Sequence, residues 1–347
     1  MSVRTILVCE AQVPFVRGGA ETLVRELVRE LCARGYEAEL VSVPFKWYPK
    51  EEILPHAAAW RLLDLSESNG RPVDLVITGK FPTYFVRHPA KVAWLVHQYR
   101  AAYELCGTIY GDFFHTEPDV GLRDTLITLD TEMLSECRAL FTIAQTVTSR
   151  LKKFNGLDAP PLYHPPRLAP RLQAGAYGDY VLSVGRIESV KRVDLAVRAM
   201  ADVDPGVRLI VAGDGTQRTN VERAAAEAGV ADRVTFLRTV DDGSLIELYA
   251  GALAVIFPPY DEDYGYVTLE SFLARKPVVT CVDSGGPNEF VVDGTNGLVC
   301  EPVPEALAVA INRLAADRGL AASMGDAGYD LARTITWDGV IEKLVVQ

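Results

Sequence analysis

Apolar runs of four to six residues recur along the chain, each followed by enough polar-patterned sequence for one helix and its turns. They occupy 5–9, 38–43, 73–78, 91–96 and 139–143 in the first half, and 180–184, 207–212, 234–237, 253–257 and 277–281 in the second. Continuous rather than alternating apolar character marks strands buried on both faces. Between the runs the period becomes helical. Leu23, Leu27, Val28 and Leu31 line one face of a segment that ends near Ala33 and is stopped by Gly35. Further helices are predicted near 192–200, 219–228, 244–251, 267–275 and 304–316, and 335–344 reads as a last amphipathic helix. Regular alternation of strand and helix predicts parallel sheets covered on both sides, an α/β fold. Residues 107–118, rich in aromatics and glycine, have no period and predict a long loop of the kind that carries specificity. The stretch 164–178, HPPRLAPRLQAGAYG, has three prolines, two glycines and no apolar period, and marks a boundary. One core rarely serves 347 residues, so the chain divides there into two doubly wound domains, 1–168 and 169–328.

Composition narrows the partners. With 35 basic and 46 acidic residues the net charge is −11, which argues against nucleic acid as a partner. The six cysteines, Cys9, Cys32, Cys106, Cys137, Cys281 and Cys300, form no C-x-x-C pair, and several lie in apolar runs, so they read as reduced core thiols. The N-terminal apolar stretch is too short for a signal peptide and reads as the first buried strand. No segment reaches the roughly 18 apolar residues that span a bilayer, which predicts a cytoplasmic protein with at most a peripheral membrane contact.

The densest chemistry lies in 253–297. A buried strand ends at Pro258 and Pro259, the acidic, aromatic loop 260–266 follows, and a helix opens near Val267, so the loop sits at a strand's carboxyl end, where open α/β sheets bind ligands. The helix start adds free N–H groups and about half a positive charge. Glu262 and Glu270 bracket it. In the same domain the strand at 180–184 leads into Gly185-Arg186, with Lys191-Arg192 at the following helix start, and the Arg186 guanidinium and Lys191 ammonium are suited to holding a departing diphosphate. Gly213 belongs to a weak G-x-G turn after the next strand, and Val240 follows the strand ending at Leu237. In the first domain Gly18 and Gly19, in Arg17-Gly18-Gly19-Ala20-Glu21, open the first helix and allow close approach of a ligand. His97 ends the strand at 91–96, and Tyr99, Arg100 and Tyr103 follow it. The dinucleotide fingerprint G-x-G-x-x-G is missing.

The sequence Glu262-Asp263-Tyr264-Gly265-Tyr266-Val267-Thr268-Leu269-Glu270, an E-x7-E pattern, resembles the retaining GT-B glycosyltransferases, in particular glycosyltransferase family 4. Ser284-Gly285-Gly286-Pro287-Asn288-Glu289 and Asp293-Gly294-Thr295-Asn296-Gly297 follow in that family's order, and Gly18-Gly19-Ala20-Glu21 matches its G-G-x-E element. The resemblance implies two Rossmann-like domains facing across a cleft, an acceptor side in 1–168, a nucleotide-sugar side in 169–328, and a C-terminal helix, 329–347, crossing back to the first domain. It implies transfer of a sugar from a nucleoside-diphosphate-sugar donor to a hydroxyl acceptor by front-face attack, with retention and no covalent nucleophile. Arg186 and Lys191 would hold the diphosphate, Glu262 the donor sugar and Glu270 the ribose, whose two hydroxyls one carboxylate can accept. His97 would meet the donor sugar or acceptor. Gly18, Gly19, Gly213, Val240, Gly265, Tyr266, Val267 and Thr268 would complete the donor nucleotide site. The sequence departs from the family where Asp263 replaces a glycine, where Tyr264 and Tyr266 stand for other aromatic or aliphatic residues, and where Gln145 replaces a common serine.

Two D-x-D patterns, Asp202-Val203-Asp204 and Asp261-Glu262-Asp263, raise the question of a metal. The first reads as a helix-to-strand turn. With Arg186 and Lys191 present, no metal and no other cofactor is expected. The acceptor stays open between a sugar, a lipid-linked glycan and a small molecule, as do the donor base and the oligomeric state. A sugar-nucleotide 2-epimerase of the same fold and a binding subunit without catalysis are the alternatives; a dehydrogenase is disfavoured by the missing fingerprint.

Overall fold

The computed structural model describes residues 3–16 and 18–345; Arg17 lies outside the described residues. The chain forms two compact units, one comprising 1–167 with 336–347 and the other 168–335. The first is built on a parallel sheet of β1 (Thr5–Gln12), β2 (Glu37–Pro44), β5 (Leu75–Thr78), β6 (Lys91–Leu95) and β7 (Ala139–Thr142), in the order β2-β1-β5-β6-β7. A small antiparallel ribbon, β3 (Glu67–Ser68) with β4 (Arg71–Pro72), precedes β5. The helices are α1 (Gly19–Ala33), α2 (Ile53–Leu62), α3 (Glu117–Ser135) and α4 (Gln145–Asn155). Every residue of β5 and β6 is buried, as the continuous apolar runs require. The predicted loop at 107–118 ends early, because Glu117 already starts α3 with Pro118 in its first turn.

The second unit is a six-stranded parallel sheet of β8 (Tyr180–Val184), β9 (Arg208–Ala212), β10 (Val234–Leu237), β11 (Ala254–Ile256), β12 (Val278–Cys281) and β13 (Gly297–Cys300), in the order β10-β9-β8-β11-β12-β13. Its helices are α5 (Val193–Ala199), α6 (Arg218–Glu227), α7 (Asp242–Gly251), α8 (Tyr266–Leu273), the single turn α9 (Pro287–Phe290), α10 (Pro304–Ala316) and α11 (Arg318–Ala332). From β8 the chain winds outward through β9 and β10, then returns to β11 on the other side of β8. The strand order therefore reverses between β8 and β11. In open α/β sheets ligands bind at such a reversal, outside the carboxyl ends of the two strands.

α11 was not predicted, and it contains two glycines in its interior, Gly325 and Gly328. Both are packing positions: a Cβ on Gly325 would lie 2.1 Å from Arg275 O, and one on Gly328 would lie 2.3 Å from Phe272 Cδ1. Their lack of a side chain lets α11 approach α8 and keeps 329–335 in the second unit. The segment that joins the first unit thus starts at Thr336, later than the expected 329. Its helix α12 (Trp337–Val345) places Trp337 against Trp94 and His164, with ring centroids 6.2 and 6.0 Å apart. His164, read from sequence as the start of a linker, is buried there, and burial pushes its imidazole down to about 3. The six cysteines are free thiols. Among the described residues no helix is long and apolar enough to cross a membrane.

Candidate functional site

The adjoining carboxyl ends of β8 and β11 bring together the residues that leave these two strands. Beyond β8, Gly185 and Arg186 follow directly, and Arg186 is exposed with no ion pair among the described residues. A 3-10 turn, Ser189–Lys191, then presents Lys191, and Arg192 stands between this turn and α5 in the left-handed conformation, with φ +48°. Arg192 is therefore outside the helix that sequence patterning starts at 192. Beyond β11, the two prolines end the strand and the loop 260–265 turns back over the sheet. Lys191 Nζ donates to Glu262 Oε2 at 2.5 Å, across 71 positions of sequence. Both side chains are largely buried, 17 and 16 % exposed, where a charge without its partner is costly.

The loop that carries Glu262 is held by its neighbours. Glu262 N donates to Ser284 O at 3.0 Å, Gly286 N donates to Glu262 O at 2.8 Å, and Asp261 N donates to Asp283 O at 2.9 Å. This explains why Ser284-Gly285-Gly286 accompanies the acidic loop in sequence: the two segments form one bridged ribbon, Glu262 opposite Gly285. α8 then starts after Gly265, whose φ of +81° suits glycine, and no side chain caps it. Tyr266, Val267 and Thr268 form its first turn. Thr268 Oγ1 is buried with no hydrogen-bond partner, an orphan polar atom at the anion-attracting end of the helix.

Glu270 lies half-buried on the next turn of α8, and Tyr249 of α7 donates its hydroxyl to Oε2 at 2.8 Å. Burial, and then the carboxylate itself, hold the Tyr249 hydroxyl well above its usual range, so it stays a donor. One Glu270 oxygen is thereby oriented. Nothing in the sequence singles out Tyr249, since its partner is 21 residues away on another helix. Replacing Tyr249 by Phe removes a hydrogen bond to a carboxylate, worth about 1.5–3 kcal/mol. The expected result is a measurable fall in melting temperature and, if Glu270 holds the ribose, nucleoside-diphosphate affinity weakened about threefold to tenfold, read by calorimetry. An unchanged affinity would show that Glu270 needs no such orientation.

Gly213 marks where two strand ends touch. Its φ is +149°, and a Cβ there would lie 1.9 Å from Gly185 O, so no other residue fits. The structure thus gives Gly213 a packing role under the Arg186 loop, whose Ile187 N donates to Asp214 O at 3.0 Å. Val240 lies past β10, half-buried, just before the Asp241 cap of α7. In the other D-x-D pattern, Asp204 Oδ1 accepts from Gly206 N at 2.7 Å, the turn expected from sequence. Among the described residues no group of three or more His, Cys, Asp or Glu has the arrangement to hold a metal ion.

In the first unit, Gly18 caps α1. Its amide donates to Glu21 Oε2 at 2.9 Å, so this N–H, which the sequence reading left open to a ligand, is already engaged. Burial opposes the charge on Glu21, but Lys80 beside it outweighs that effect and holds the carboxyl below its usual range. Gly19 is the first, exposed residue of the helix. His97 follows β6, and its Nδ1 donates to Gln98 O at 2.6 Å. Sequence reasoning missed two polar residues of the second unit: Tyr249, and Asp283, which pairs with Arg192.

Residues 172–331 match the family described as glycosyl transferases group 1. The chain is 27 % identical to a D-inositol 3-phosphate glycosyltransferase of Acidothermus cellulolyticus over 94 % of its own length and 84 % of that protein. Its backbone resembles sucrose-phosphate synthase from Thermosynechococcus elongatus, with TM-score 0.75, 20 % identity, and 98 and 97 % of the two chains covered. It also resembles Anabaena Alr3699/HepE, solved in complex with UDP and glucose, with TM-score 0.71, 16 % identity, and 98 % of each chain covered.

Proposed function

We propose that this protein, whose second unit matches the glycosyl transferases group 1 family and whose fold is GT-B, is a glycosyltransferase that moves a sugar from a nucleoside-diphosphate-sugar to a hydroxyl acceptor, with retention and without a metal. The observation that carries the reading is the Lys191–Glu262 pair at the reversal point of the second sheet, between an exposed Arg186 and the uncapped start of α8. A diphosphate seated there meets a guanidinium, an ammonium and the positive end of a helix. Together these offset the charge that grows on the leaving oxygen, the task for which a metal would otherwise be needed. The buried Thr268 hydroxyl gains a partner in the same place.

Glu270, with one oxygen held by Tyr249, accepts from the ribose. Glu262 exchanges Lys191 for the donor sugar's hydroxyls and favours positive charge developing on the ring. The leaving phosphate takes the acceptor's proton as the new glycosidic bond forms on the same face, so no enzyme nucleophile is assigned. In the first unit, His97, Gly18 and Gly19 are assigned to binding donor or acceptor, with Nε2 of His97 accepting from a hydroxyl. The complex of a similar fold with UDP and glucose makes the uridine series the first to test. The inositol phosphate relative makes a small polyol phosphate the first acceptor, ahead of lipid-linked glycans.

The test is thermal stability with a panel of nucleoside diphosphates and their sugars, using wild type and Glu270→Ala, with and without EDTA. Ligand at a hundred times its dissociation constant stabilises the native state by about 2.7 kcal/mol. One series is expected to raise the melting temperature of wild type, far less that of Glu270→Ala, and to ignore EDTA. Equal responses from the two proteins would sink the Glu270 assignment, and loss of the response in EDTA would sink metal independence. Nucleoside diphosphate released without any acceptor would favour epimerase chemistry.

A further inference from the structure

Arg192 is not required by any role assigned above, yet the structure treats it as a costly exception. Its backbone is left-handed, a conformation that costs a residue with a side chain about 1–2 kcal/mol and that glycine adopts freely. Its side chain is 10 % exposed. A helix cap alone would not explain a buried guanidinium on a strained backbone. What explains it is the guanidinium's set of partners. Nε donates to Pro258 O at 2.8 Å and Nη2 to Pro259 O at 2.9 Å, while Nη1 and Nη2 reach Asp283 Oδ2 and Oδ1 at 2.8 and 2.6 Å. One planar fork thus joins the segments that leave β8, β11 and β12.

Those three segments carry the proposed chemistry. Lys191 is the preceding residue, and Glu262 follows the two prolines by three positions. Asp283 also accepts from Asp261 N through its backbone carbonyl. Tyr260 N donates to Val190 O at 2.7 Å, closing the same ring of contacts. We infer that Arg192, clamped to Asp283, is a positioning residue that fixes the distance between the Lys191 ammonium and the Glu262 carboxylate. It touches neither substrate nor reacting atoms. The inference rests on the donor site proposed above. It adds that the site's geometry is set from beneath by a guanidinium that only a planar, five-donor group replaces.

Three variants test it: Arg192→Gly, which relieves the backbone, Arg192→Lys, which keeps the charge without the fork, and Asp283→Asn, which keeps the shape without the charge. Misplacement of a catalytic group by about 1 Å costs up to about a hundredfold in rate. The expected result is that all three lower kcat about tenfold or more, while affinity for the nucleoside diphosphate stays within about threefold. The double variant Arg192→Gly with Asp283→Asn is expected to be no slower than the slower single, because the pair acts as one unit. A purely structural residue would instead lower the melting temperature and leave kcat of the folded fraction unchanged. Retention of kcat within twofold in Asp283→Asn, or losses that multiply in the double variant, would overturn the inference, and Asp283→Asn decides if Arg192→Gly does not fold. Wild type that neither binds nor turns over a nucleotide sugar would overturn the donor reading, and the positioning role with it; active wild type with unaffected variants overturns the positioning role alone.

Discussion

Lys191→Ala is expected to lower kcat/KM for sugar transfer about a thousandfold or more, the largest effect of any single substitution in the site. Two losses combine. A preorganised donor facing developing charge is worth about 2.7–4 kcal/mol, and the ammonium is one of two side chains assigned to the diphosphate. The substitution also leaves the Glu262 carboxylate, 16 % exposed, without the partner now 2.5 Å away, and stranding a buried charge costs several kcal/mol. Melting temperature therefore falls together with activity. Adding Glu262→Gln to Lys191→Ala removes the stranded charge, so the double variant recovers stability and none of the rate. Steady-state kinetics and thermal melts on the three proteins check this. A Lys191→Ala enzyme within tenfold of wild type would remove Lys191 from the leaving-group site.

Glu262→Gln alone is expected to act in the opposite way on binding and on rate. The amide has nearly the same shape, but it no longer pairs with Lys191 as an anion and no longer favours positive charge on the sugar ring. Turnover falls by about 10²–10³-fold, the scale of losing one electrostatic contact made in the transition state. Nucleoside-diphosphate affinity rises, because in the unliganded protein Glu262 competes for the same ammonium. Titration calorimetry with the diphosphate and single-turnover kinetics with the donor separate the two effects. Weaker diphosphate binding in Glu262→Gln would mean that the carboxylate supports Lys191 and does not compete with it.

Most of the strands were legible because each is a short apolar run buried on both faces, and β8 and β10 have the predicted bounds. β13 (Gly297–Cys300) was missed because it is four residues long and opens on a glycine that reads as a turn. α3 was largely hidden in the first half, where its polar face and the preceding aromatic loop blur the period. The acidic loop and the two basic positions were legible as residue types at strand ends. Their order along the chain does not say which strand ends adjoin. Arg192 stood in view beside Lys191 but carried no signal of its own, since basic residues at helix starts are ordinary surface features.

The sequence by itself determined the α/β class and the identity of the charged groups, because burial periodicity and turn residues act within a few positions of one another. Only the tertiary structure decided that β8 and β11 are neighbours, so that Lys191 meets Glu262 across 71 residues and Tyr249 meets Glu270 across two helices. It also decided that Arg192 turns under the site and that Gly18's amide is already taken by Glu21. The physical reason is that strand order and side-chain pairing are settled by packing between distant segments. A local pattern supplies the faces to be buried, and the choice of which faces bury one another belongs to the whole fold.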